Sequence, residues 1–167
     1  MNRYRSSPAF GVALGGTLAA LAVVIMSLGG LIPVATYVCP ILCTMLLAVM
    51  LKICGRRMAW AWYAAVAILS ALLSPDKEAA AVFVFLGYYP IVRPFFERRR
   101  FRLLWKGVFF NGNVAVLYWL LIRLMGMEQL LEEFTELGIA GLVGMLLMGN
   151  LIFVLLDRFL NGGYRRR

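Results

Sequence analysis

The 167 residues are 63% hydrophobic and only 15% charged, with mean hydropathy +0.85 and a formal net charge of +9. Soluble domains are roughly 45–50% apolar and about 25% charged, so a water-soluble fold is excluded; a domain of this size has too little interior for so much apolar side chain. The Lys and Arg residues gather at the ends of apolar segments instead of alternating with aromatics along one face. That placement excludes a nucleic-acid surface and points to an all-α polytopic membrane bundle, one domain spanning 1–167, in the cell membrane with the lipid bilayer as its solvent.

A helix needs about 20 apolar residues to cross the hydrocarbon core. The first segment that qualifies, 9–29, follows Arg3 and Arg5. Its apolar run exceeds the roughly 7–15 residues of a signal-peptide core and no small-x-small cleavage site follows it, so a retained helix is expected. Gly11, Gly15 and Ala19 recur every fourth residue, and Gly16 and Ala20 repeat the spacing one position on. Such a small-residue face serves close helix packing, within the bundle or against another membrane protein.

The second segment, 33–54, carries Cys39, Cys43 and Cys54. Without a histidine anywhere in the chain or a carboxylate nearby, these read as packing residues and not as a zinc site. The lack of histidine also removes Ser-His triads and most metal-dependent hydrolysis, and no P-loop is present. No enzyme activity and no cofactor are therefore expected.

Residues 58–95 would be too long for one crossing, and Ser74-Pro75-Asp76 divides them into spans 58–74 and 79–95. Asp76 and Glu78 suit the first turn of the second helix, where the dipole favours acids. Lys77 is not explained by capping, which makes Asp76, Lys77 and Glu78 candidates for a ligand site. Trp60, Trp62 and Tyr63 fit an aromatic belt at a membrane boundary, and Pro90 is placed to kink its helix and release backbone carbonyls.

The segment "RPFFERRRFR" reads as a topology anchor touching anionic headgroups, or as a docking point. In the fifth span, 102–124, Lys106 is close enough to the segment end to snorkel, whereas Asn111 lies about two turns deeper and must bond another helix, a water or a ligand. Residues 127–137 alternate Leu and Phe with glutamates at helical spacing, as a short amphipathic surface helix does. The last span, roughly 139–160, has Gly138, Gly141 and Gly144 at spacing three and Gly149 further on, a face for packing within the bundle or against another membrane protein, with Asn150 and Asp157 deeper, the latter expected to pair with Arg158.

With six spans and a cytoplasmic N-terminus, every Lys and Arg except Lys77 and Arg123 falls on the cytoplasmic side. This bias is what the positive-inside rule requires, and it places both termini inside.

Six short spans, both termini inside, and the spacings Gly15-Ala19 and Gly16-Ala20 in the first helix resemble the substrate-binding S component of energy-coupling factor (ECF) transporters. That family's motif carries alanines where this chain has leading glycines. The resemblance implies a vitamin-like ligand held near the outer face and a first helix that packs on a membrane coupling subunit driven by cytoplasmic ATPases. The alternative is a non-transporting scaffold or interaction protein of the bacterial cell envelope, with the basic loop as its docking surface. The charge count makes a direct prediction: a cysteine replacing Glu133 reacts with an impermeant thiol reagent in intact cells, and labelling only after lysis reverses the orientation.

Overall fold

The computed structural model describes residues 8–28, 35–97, 101–124 and 128–164, in which the regular structure is entirely helical. The helices are α1 (Pro8–Leu28), α2 (Ala35–Cys54), α3 (Arg56–Leu73), α4 (Lys77–Leu86), α5 (Tyr89–Glu97), α6 (Arg102–Leu124) and α7 (Glu128–Tyr164). Four stretches are long and apolar enough to cross a membrane by length and composition: Ala9–Leu28, Thr36–Cys54, Lys77–Glu97 and Gly138–Leu160. Among the described residues the protein is thus all-helical with four candidate membrane spans, where the sequence predicts six. The other two expected spans correspond to α3 and α6. α3 opens on Arg56-Arg57 and carries two tryptophans, while α6 contains Lys106, Asn111, Asn113 and Arg123, which dilutes the apolar character of each. The cationic segments at 1–7, 98–100 and 165–167 lie outside the described residues, as do the side chains of the amphipathic segment 127–137.

The chain forms two compact units, Met1–Arg98 and Arg99–Arg167. In the first, α2 is central and touches α1, α3, α4 and α5, while α1 also packs on α3. Its core joins Ala22 and Met26 of α1, Cys39, Cys43, Leu47 and Met50 of α2, Ala59, Trp62 and Val66 of α3, and Ala79, Phe83 and Ile91 of α4 and α5. The closest approach is made possible by Gly15. A Cβ there would lie 3.2 Å from the Met50 methyl, and the Trp62 indole N–H donates to the Gly15 carbonyl at 3.0 Å. Trp62 is 4% exposed, which corrects its assignment to the aromatic belt: at about 100° per residue, position 62 turns inward while Trp60 stays on the surface.

Three glycines set the corners. Gly55 (φ 84°, ψ 178°) and Gly138 (φ 62°, ψ −179°) occupy backbone regions essentially reserved for glycine. Gly55 separates α2 from α3, and Gly138 breaks α7 at the junction the sequence places between the amphipathic segment and the last span. The third corner, Gly87-Tyr88, divides α4 from α5. Pro90 has no N–H to return to the Leu86 carbonyl, so the helix cannot run through unbroken. At Gly87 a Cβ would run into the Phe83 carbonyl and lie 2.7 Å from its ring.

Gly87→Ala is therefore expected to destabilise the protein by about 1–3 kcal/mol through overpacking. Gly112→Ala, in α6 with nothing within 4 Å of the new methyl, should be neutral or stabilising by up to about 1 kcal/mol from helix propensity. Thermal unfolding in a mild detergent compares the two; equal losses would argue against the tight corner.

Candidate functional site

The stretch Ser74–Glu78 leads from α3 into α4, and three of its polar side chains, Ser74, Asp76 and Lys77, each close a different helix end. A helix leaves its first N–H and last C=O groups without partners, and in an apolar chain those groups carry a large desolvation cost. Ser74, 2% exposed, directs its hydroxyl at the Met26 carbonyl in the last turn of α1 (3.1 Å) and at the Asp76 carbonyl (3.0 Å). The Asp76 carboxylate accepts from the Ala79 N–H at 2.9 Å, an N-cap for α4. The Lys77 ammonium donates to the Ala71 carbonyl at 3.0 Å, which places a cation at the negative end of α3. The Glu78 carboxylate accepts from the Tyr37 hydroxyl at 3.0 Å and so links α4 to the start of α2. The triplet that sequence reasoning offers as a ligand site is held, residue by residue, in contacts that join α2, α3 and α4, and Ser74 adds α1.

A second set of side chains serves the corner at Gly87-Tyr88. The Tyr63 hydroxyl donates to the Val84 carbonyl before the break, and Arg56 donates to the Ile91 carbonyl after it at 3.0 Å. Tyr63 also meets Trp60 and Tyr88 edge to face, while Trp60 and Tyr88 stack with centroids 6.2 Å apart. Arg93 on α5 is 5% exposed and pairs with Glu97 at 2.6 Å.

In the second unit, α6 and α7 share a polar seam. Lys106 and Asp157, 5% and 8% exposed, form a doubly bonded ion pair at 2.8 and 2.9 Å. The sequence offers two other fates, snorkelling for Lys106 and Arg158 as the neighbour of Asp157; the structure instead brings the two together from facing helices. Asn111 and Asn150 exchange a reciprocal pair of amide hydrogen bonds at 3.1 Å, and each also donates to the carbonyl one turn before it in its own helix. Between these pairs Phe110 stacks on Phe153 at 4.8 Å and closes on Gly149, where a Cβ would be 3.3 Å from the Phe110 ring. Of the partners that its depth allows, another helix, a water or a ligand, Asn111 meets a helix, through Asn150. The pairing of Lys106 with Asp157 is missed by sequence reading because 51 residues separate them.

On α1 the small residues divide between two faces. Gly11 and Gly15 are buried against α2 and α3, with Cys54 and Met58 3.8 Å from a Gly11 Cβ. Ala19 is half-buried at the edge of the core. Gly16 and Ala20 are exposed, and nothing lies within 4 Å of a Cβ at Gly16. Cys39 and Cys43 are buried in α2, Cys43 with its thiol directed at the Ala22 carbonyl at 3.5 Å. Among the described residues no three His, Cys, Asp or Glu side chains group as metal ligands.

No protein-family model, curated protein or solved structure matches the chain. The class rests on the chain itself: among the described residues the structure is helical, with four stretches long and apolar enough, by length and composition, to cross a membrane.

The capping roles are measurable. Asp76→Ala should cost about 1 kcal/mol as a lost N-cap, and Lys77→Met about 0.3–1 kcal/mol as a lost cation at a helix C-terminus. Denaturant unfolding in detergent reads both; a Lys77→Met protein as stable as the parent would remove the capping role.

Proposed function

We propose that the chain is a six-span integral protein of the cell membrane, with both termini cytoplasmic, that acts as a subunit docking on a membrane partner through the exposed face of α1. Two arguments support six spans. The basic residues fall on one side in that topology, and the polar groups of α6 find partners on α7, which offsets the shortfall in its apolar character.

The observation that carries the docking role is the division of small residues on α1. Gly11 and Gly15 are engaged inside the first unit, whereas Gly16 and Ala20 present a bare stripe on the other side. In lipid, helices associate through close van der Waals packing, and small residues four apart permit it. The resemblance to ECF S components names the partner: a membrane coupling subunit linked to cytoplasmic ATPases, with micronutrient uptake as the joint activity. A vitamin-like solute in that role would have to be held by groups other than Asp76, Lys77 and Glu78 as they stand, or draw Lys77 away from the end of α3.

A second reading, a non-transporting scaffold of the cell envelope, is favoured by those same engaged polar groups, since Asp76, Lys77, Glu78 and Asn111 all have roles in holding helices together. Purification of tagged protein in mild detergent separates the readings. The transporter role predicts that ATPase subunits copurify and that Gly16→Leu with Ala20→Leu abolishes the association without lowering folding yield. The same double substitution with copurification intact would end the docking proposal, and partners lacking any ATPase would favour the scaffold.

A further inference from the structure

α6 is poorly suited to enter a bilayer by itself. It carries Lys106, Asn111 and Asn113 in its first half and Arg123 in its last turn. Asn113 is satisfied locally, by donation to the Phe109 carbonyl at 2.7 Å. Lys106 and Asn111 are satisfied by α7, through Asp157 and Asn150. A lysine or a carboxylate drawn below the membrane surface is costly without a partner, and here each helix carries such a group, buried and paired with the other.

The contacts also share one antiparallel register. Lys106 meets Asp157, Phe110 meets Phe153, and Asn111 meets Asn150. On α6 these positions are one turn apart or adjacent, and on α7 they follow the three- and four-residue spacing of a single helix face. A slip by one turn would separate the ion pair and drive Phe110 away from the space at Gly149. The seam therefore fixes a hairpin, and the part of α7 after Gly138 supplies the apolar surface: Ile139, Leu147, Met148, Leu151, Leu155 and Phe159 are all exposed, as lipid-facing residues are.

We infer that α6 and α7 enter the membrane together as a helical hairpin, with Asp157 and Asn150 of α7 committing α6 to its crossing. The inference rests on the six-span reading. Because the lysine must wait for a partner 51 residues further along the chain, α6 is not committed to its crossing until α7 has been made. If the seam fails, α7 crosses alone in the opposite direction and carries the C-terminus to the outside.

The test uses the full chain with Arg123→Cys as reporter, labelled by an impermeant thiol reagent in intact cells, and a C-terminal tag probed with protease. The same chain without Arg123→Cys gives the background. With the seam intact the reporter is labelled and the tag is protected. Asp157→Ala is expected to lower labelling about tenfold or more, in line with the cost of an unpaired lysine at membrane depth, and to expose the tag. Lys106→Leu combined with Asp157→Leu is expected to restore labelling, because α6 then lacks the charge that needed a partner. A purely structural role for the ion pair predicts instead that the double variant is no better than the single one. Full labelling of Asp157→Ala, or no recovery in the double variant, overturns the hairpin inference. No labelling in the Arg123→Cys parent overturns the topology itself, and the inference with it.

Discussion

In a chain this apolar, each backbone or side-chain polar group removed from water must find its partner within the protein, and much of the structure follows from that constraint. Helices satisfy their own interiors and leave their ends open. The loop Ser74–Glu78 shows how few residues can deal with several ends: a serine closes α1, a lysine α3, an aspartate α4, and a glutamate holds the tyrosine that opens α2. The Ser74 bond to α1 is buried, where low dielectric strengthens it, while the Lys77 and Glu78 bonds lie at the surface. Among the described side chains, the buried hydroxyl of Ser70 stands as the exception, with no hydrogen-bond partner.

The same constraint explains the broken span 77–97. Proline at position 90 interrupts the hydrogen-bond ladder, and a neighbouring helix supplies the donors: Tyr63 and Arg56, both on α3, reach the carbonyls on either side of the corner. Gly87 allows the corner to be tight, and Trp60, Tyr63 and Tyr88 fill its flank. A helix discontinuity of this kind is tolerated where protein covers it, and here α3 provides the cover.

Small residues act in two distinct ways on α1. Gly15 lets the Met50 methyl lie close to the backbone, and the Trp62 indole bonds to the Gly15 carbonyl. Gly16, one residue on and about 100° around the helix, does nothing comparable within the unit. The difference between the two glycines, and not their spacing along α1, is what distinguishes internal packing from exposed surface.

The helical class, the apolar segments and their division at Ser74-Pro75-Asp76 and at Gly138 are legible in the sequence, because hydrophobic run length, proline and glycine act locally. So is the capping role of Asp76, which follows from its position before a helix, whereas the depth of Asn111 leaves another helix, a water or a ligand open as its partner. The sequence does not show which face of α1 is buried, that Trp62 turns inward, that Lys77 closes the end of α3, or that Lys106 belongs to Asp157. All but the Lys77 contact, which spans six residues, depend on residues far apart in the chain, and a lysine near a segment end has the same local pattern whether it reaches for lipid headgroups or for a carboxylate on the next helix. Local preferences thus determined where the helices are, and tertiary packing decided which polar groups meet, because charge and hydrogen-bond pairing are settled by proximity in space.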